Sequence, residues 1–266
     1  MTGEKRIRVM GSAALLLLLL TASSGAQELL RGVDLAQPAY SQAELTREAI
    51  EAILKRRTSG DARIDLSGKS LNGLDLSGLD LSGVNLHAAR LVKTRLVGAK
   101  LDHAILDQAW LLEADLSHAS LIDAHLFSAQ MQRLRADGAD FSLARVTGDL
   151  TGARLRGAKF VHADLSSDMK NQSMGLMRIV LSTADAEGAD FTAANLSHAD
   201  LRFLHAAGAN FSGAALEDAD ASGADLAGAK WEGVQATDLD LDQARIDESA
   251  KSALKDAKNL DRARTR

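Results

Sequence analysis

The chain has 266 residues, a formal charge of −5, 3% aromatic residues, one proline and no cysteine. Without cysteine there is no disulfide, thiolate metal site, thiol nucleophile or lipid on a cysteine, and the acid excess argues against a nucleic-acid binder, which would show a basic face. So few aromatic residues also argue against a globular core of the ordinary kind, where Phe, Tyr and Trp supply much of the buried area.

Residues 1–26 read as a secretory signal peptide. Lys5, Arg6 and Arg8 precede a short apolar core, Ala13 to Leu20, and Ser24-Gly25-Ala26 supplies small residues for cleavage before Gln27. The apolar run is shorter than the about 20 residues that a membrane-spanning helix needs. The expectation is a chain exported to a bacterial periplasm, with no stable membrane span. Cleavage would remove three bases and one acid, taking the charge from −5 to −7. Residues 27–60 form an N-terminal segment with a capping helix. Its start is read at Ser41-Gln42-Ala43-Glu44, a capping box, its apolar face at Leu45, Ala49, Ile53 and Leu54, and its end near Thr58-Ser59-Gly60.

From residue 61 to 165 the pattern changes. Leucines recur every five residues from Leu66 to Leu126, with Ala99, Ala104, Ala109, Ala114, Ala119, Ala124 and Ala129 two positions before the corresponding large residues. A period of five fits neither a helix nor a flat strand. It requires a backbone that turns a corner every five residues, with the large residue and the small one pointing inward. Val146 is followed by Leu150, Leu155, Phe160 and Leu165, so the register slips by one residue. Residues 166–180 lack the beat and read as a protruding loop carrying Met169, Met174 and Met177. The beat resumes over residues 181–246, and residues 247–266 read as a C-terminal helix, capped by Asp247, with a basic tail.

The unit A-[D/N]-L-x-x, seen at Ala114-Asp115-Leu116, Ala163-Asp164-Leu165, Ala189-Asp190-Phe191, Ala194-Asn195-Leu196, Ala199-Asp200-Leu201 and Ala224-Asp225-Leu226, resembles the pentapeptide-repeat family over about two thirds of the chain. The resemblance implies an all-β solenoid, a right-handed quadrilateral β-helix with four units and 20 residues per coil. Short α-helical caps are expected at both ends, because open ladder edges invite aggregation.

In such a coil residues 20 apart lie one above another. Asp75, Arg95, Asp115 and Arg135 make a column of alternating charge, read as surface stabilisation. Asp200, Asp220 and Asp240 make a second column, with His198, Asp218 and Asp238 beside it. Stacked like charges repel, so this pair of columns is expected not to help the fold. From Asp185 to Glu248 there are fourteen acids and three bases, against thirteen and twelve from Asp61 to Leu165. The interaction candidates are therefore Asp200, Asp218, Asp220, Asp238 and Asp240, as a solvated surface whose Asp residues simply satisfy the repeat, a docking face for a basic protein or a weak Ca²⁺ site, and Met169, Met174 and Met177, as packing residues, a partner contact or a Cu(I) site.

His87, His103, His118, His125, His162, His198 and His205 form no recognisable metal or triad spacing and are read as exposed repeat positions. No nucleophile elbow or phosphate loop is present, and a filled core offers no concave pocket. The resulting expectation is a non-enzymatic exported scaffold mediating protein–protein interaction, without cofactor or nucleic acid. Whether it is a monomer or a dimer is left open. A metal-responsive binding protein, using Ca or Cu, is the alternative. A DNA-mimicking, gyrase-binding role, known among cytoplasmic members of the family, is the lesser alternative if the chain is not exported.

Overall fold

The computed structural model describes residues 37–56, 63–167 and 178–265. Pro38–Arg266 form one compact unit, a solenoid with a helix at its upper end. The signal-peptide reading and Met169, Met174 and Met177 lie outside the described residues.

Each five-residue unit of the solenoid is a tight turn followed by a one-residue parallel bridge. In the first regular unit the Lys69 N–H donates to the Leu66 carbonyl at 3.2 Å, and the third residue, Gly68, has φ +65. This is a type II turn, whose third position needs the left-handed region. Glycine meets that need at many corners, but Lys93, His103, Leu143 and Phe203 also adopt positive φ at the equivalent place. Such residues resist that conformation by about 1–2 kcal/mol each, so the ladder above and below must hold them there. Three bonds per unit do so. Leu66 N donates to Asn85 O, Gly68 N to His87 O and Asn85 N to Ile64 O, all at 2.8 Å. Bridges at intervals of 20, such as Asp75↔Arg95, Arg95↔Asp115 and Asp115↔Arg135, repeat down the stack.

The interior is filled by stacked side chains. The alanines two positions before each large residue are buried, as are the large residues themselves. One of the four inner columns changes from Leu81, Leu101 and Leu121 to Phe141, Phe160, Phe191, Phe211 and Trp231. Successive rings in this aromatic ladder lie 4.9–5.1 Å apart and nearly parallel, set by the spacing of neighbouring strands. Three of the rings have a smaller neighbour in the same coil, while Leu155 precedes Phe160 and Leu226 precedes Trp231. Ala136 precedes Phe141, Ala186 precedes Phe191 and Ala206 precedes Phe211, all buried, so in those layers the small residue makes room for the ring.

The slip has a local mechanism. β1 (His125–Gln130) pairs with β2 (Arg145–Asp149), and the offset falls from 20 at Leu126↔Val146 to 19 at Ala129↔Gly148. The shortened corner brings two backbones together at Gly148, where φ is +120 and a Cβ would stand 2.1 Å from the Ala129 carbonyl oxygen. The buried Thr147 hydroxyl oxygen accepts the Ser128 N–H at 3.0 Å, so the side chain supplies the acceptor for that donor.

Three expectations are corrected. The N-terminal helix, α1, runs over Arg47–Lys55 and is capped by Thr46, whose side chain accepts the Ala49 N–H. Of the residues read as its capping box, Ser41 ends a separate single helical turn (Pro38–Ser41), and Ala43 and Glu44 lead into the ladder, with Ala43 bridging Leu71 and Glu44 N donating to Ser70 O at 2.7 Å. The interruption is shorter than residues 166–180. β3 (Ile179–Val180) pairs with β2, and Ile179 is buried at an inward position usually held by Ala, which hid it from the periodicity. The C-terminal segment is not an α-helix. Glu248–Ser252 and Leu260–Arg262 are 3-10 turns, and β5 (Arg264–Thr265) pairs in parallel with β4 (Arg245–Ile246). Residues 247–265 thus form a last, irregular coil. Asp247 makes no side-chain cap; its carboxylate accepts the Gly228 N–H at 2.9 Å.

Candidate functional site: the outer columns

With the interior filled, the chemistry lies on the residues that face outward. The Asp or Asn of each unit is built in by the turn itself. Its carboxylate or amide oxygen accepts the N–H two residues on, as at Asp65–Ser67 (2.9 Å), Asp75–Ser77 (3.0 Å) and Asn195–Ser197 (3.1 Å). Short polar side chains favour this local bond. The polar side chain of Ser77 and its N–H, with Arg95 and Arg47 nearby, hold the Asp75 carboxyl below its usual pKa against the pull of desolvation.

This changes the reading of the acidic columns. Asp200, Asp220 and Asp240 do stack, through the bridges Asp200↔Asp220 and Asp220↔Asp240. Each also accepts a backbone N–H, from Arg202, Ser222 and Asp242 respectively, so the column contributes to the turns despite its repulsion. The sequence alone concealed this contribution because it records charge and not hydrogen bonding.

Asp200 is fully buried. Arg202 contacts both of its oxygens, at 2.8 and 2.6 Å; Ser182 donates at 2.9 Å, and Arg178 lies 3.3 Å away. Burial alone would raise its pKa. The hydrogen bond and charge of Arg202, with the Ser182 hydroxyl, prevail and hold it below the ordinary range. Asp200 is therefore an internal anchor at the point where the ladder resumes, whereas Asp220 and Asp240 keep an outward edge.

Asp218 and Asp238 occupy left-handed corners in the neighbouring column. Lys258 of the last coil reaches both, at 3.6 and 3.3 Å, and His198 lies 3.9 Å from Asp218. Asn259 donates to Asp240 at 2.8 Å, and Arg262 forms an ion pair with Asp242 at 3.0 Å. Part of the acidic face is thus neutralised by the chain's own C-terminal residues. The offset there, 18 from Asp240 to Lys258, is not a multiple of five, so reading at multiples of 20 misses it.

The remaining surface is mixed in charge. Arg135 pairs with Asp115 at 3.7 Å, Arg154 with Asp137 at 2.7 Å and Arg156 with Asp185 at 2.6 Å. An open hollow of about 440 Å³ is lined by Arg156, Asp185, Glu187, His205, Ala207 and Asp225. Among the described residues, Leu143 and Phe203 are the large apolar side chains left more than half exposed, and the Phe203 ring lies against Gly223. His103, His118, His162 and His198 stand at left-handed corners, and His103 meets Asp123 at 2.9 Å. Among the described residues there is no group of three His, Asp or Glu that could hold a metal ion, and no helix is long and apolar enough to cross a membrane.

The model of the family described as pentapeptide repeats matches in eight copies, over residues 70–108, 80–116, 111–142, 149–167 and 176–213. With the five-residue turns and the 20-residue ladder, this makes the chain a member of the pentapeptide-repeat family. Among solved structures it is similar to HetL, a pentapeptide-repeat protein involved in heterocyst differentiation regulation in the cyanobacterium Nostoc sp. strain PCC 7120. Identity is 28%, coverage is 76% of this chain and 97% of that one, and the TM-score is 0.50. It is also matched, at 30% identity, by a pentapeptide-repeat protein of the Arabidopsis thaliana thylakoid lumen, over 52% of this chain and 68% of that one with a TM-score of 0.18. QnrB1, a plasmid-mediated fluoroquinolone resistance protein, matches at 14% identity over 74% and 89%, with a TM-score of 0.32. No curated protein matches the chain. The family fold is the right-handed quadrilateral β-helix expected from the repeat.

Proposed function

We propose that this pentapeptide-repeat protein is an exported, non-catalytic scaffold that binds other proteins through the outer columns of its solenoid. The carrying observation is the filled interior. Side chains stack from Leu66 to Ile246 with essentially no exposure of the central residues, so recognition is left to a surface that changes from balanced charge in the upper coils to acidic in the lower. The export reading is supported by the basic, apolar and small-residue succession of residues 1–26.

Two experiments test the two parts separately. Fusion of residues 1–30 to a reporter active only outside the cytoplasm should give activity; a cytoplasmic reporter overturns export and favours the gyrase-binding alternative. Crosslinking of the full chain in periplasmic extract should capture a defined protein, and reversing charge at Asp218 and Asp238 should weaken that capture. Capture unaffected by the reversal removes the acidic coils from the binding role, and no specific capture removes the scaffold reading.

A further inference from the structure

The lower end of the solenoid is closed differently from every junction above it. A regular junction carries three ladder bonds per unit, as Leu66, Gly68 and Asn85 show. Beneath the coil that ends at Ile246 the ladder thins. Asp238 N donates to Asp256 O and Leu241 N to Lys258 O, both at 3.1 Å; Lys258 N donates to Leu239 O and Arg264 N to Ala244 O, both at 2.8 Å, beside the β4–β5 pairing. The register is 18 at Asp240↔Lys258 and 19 at Arg245↔Arg264, against 20 in the regular coils.

Charge fills the gap. Lys258 spans Asp218 and Asp238, Asn259 holds Asp240 and Arg262 holds Asp242; the Arg264 guanidinium donates to the Gln243 carbonyl at 3.2 Å. Desolvation works against the Lys258 ammonium, yet the carboxylates of Asp238 and Asp218 raise its pKa above the usual value. Lys258, Asp218 and Asp238 are each about half exposed, so salt screens them. Apolar anchoring of this coil comes from the buried Leu254 and Ala250, with Ala257, Leu260 and Ala263 partly buried against the core.

We infer that residues 247–265 are an electrostatic clasp, a closing coil held on the acidic lower coils by Lys258 and Arg262, which opens locally ahead of the solenoid. Opening bares Asp218, Asp238, Asp240 and Asp242 together with the ladder edge of residues 238–246. The ligand that fits this edge is a basic extended segment, the chemistry with which the clasp already occupies it. The inference does not depend on export, so the reporter result and this one fail independently.

Hydrogen exchange of the full chain tests it. Raising sodium chloride from roughly 0.05 to 1 M should speed exchange at Asp238, Leu241, Lys258 and Arg264 by about fivefold or more, while the amides of Leu196 and Leu201 stay protected. Lys258→Gln with Arg262→Gln should produce the same opening at low salt and abolish most of the salt response. Oligolysine at low salt should speed the clasp amides of Lys258 and Arg264, which it displaces, in the wild-type chain, and oligoglutamate should not. Exchange that ignores salt and both substitutions overturns the clasp, as does opening of residues 247–265 only together with the coils above. Opening by salt without any effect of oligolysine overturns the basic-segment ligand.

Discussion

The two ends of the solenoid solve one problem with different physics. At the upper end α1 lowers Ile50, fully buried, onto the first coil, with Leu45, Ile53 and Leu54 packed around it. Arg47 donates to the Asp75 carbonyl at 2.7 Å and the Ser77 carbonyl at 3.3 Å, two groups that in any lower coil would accept ladder bonds. At the lower end the chain winds once more, out of register, and holds itself with lysine and arginine on stacked carboxylates. An apolar plug keeps its strength in salt, whereas exposed ion pairs weaken. The first end is therefore a fixed stop and the second is adjustable.

The largest expected effect tests whether the two ends belong to one cooperative body. Gly148→Ala drives a Cβ into the Ala129 carbonyl, midway along the stack. It should cost about 4 kcal/mol or more, or prevent folding. Thermal unfolding followed by circular dichroism checks this, and a variant as stable as the wild type would disprove the close approach. Ile50→Ala should cost about 3 kcal/mol, with the loss unchanged between low and high salt in denaturant titrations; a salt-dependent loss would erase the contrast between the ends.

Asp200→Asn separates buried from exposed charge. Removing the carboxylate that faces Arg202 and Arg178 should cost about 2 kcal/mol, with little salt dependence. The folded pKa of Asp200 is depressed, so its stabilisation is full above the unfolded value of about 3.9 and is lost as pH falls through the folded one. Below about pH 4 the melting temperatures of wild type and variant should converge; parallel pH profiles would contradict this. The smallest effect belongs to Thr46→Ala, which removes the cap of α1 and should cost about 1 kcal/mol, read as lost protection at Ala49 and Ile50 with the lower coils unaffected.

The fold was legible because its core rule is local. Inward positions fall at fixed places in each five-residue turn, so Leu66, Leu71 and their successors announce the corners without knowledge of any contact. Where larger residues took small positions, as at Ile179, or where the backbone dropped a residue, as at Gly148, the periodicity showed only a break. The acidic columns were legible as positions and not as roles. Asp200 and Asp240 carry the same letter at the same repeat position, yet one is sealed against two arginines and the other is met by Asn259.

The sequence by itself determined the five-residue corner, the 20-residue coil and the residues that fill it, because a side chain's inward or outward direction follows from its place in the turn. Tertiary structure decided what closes the ends and which carboxylates are spoken for. Those outcomes depend on segments that leave the repeat, Thr46 to Lys55 above and Asp247 to Thr265 below. Their contacts join residues whose separation obeys no period, and only the folded chain brings them together.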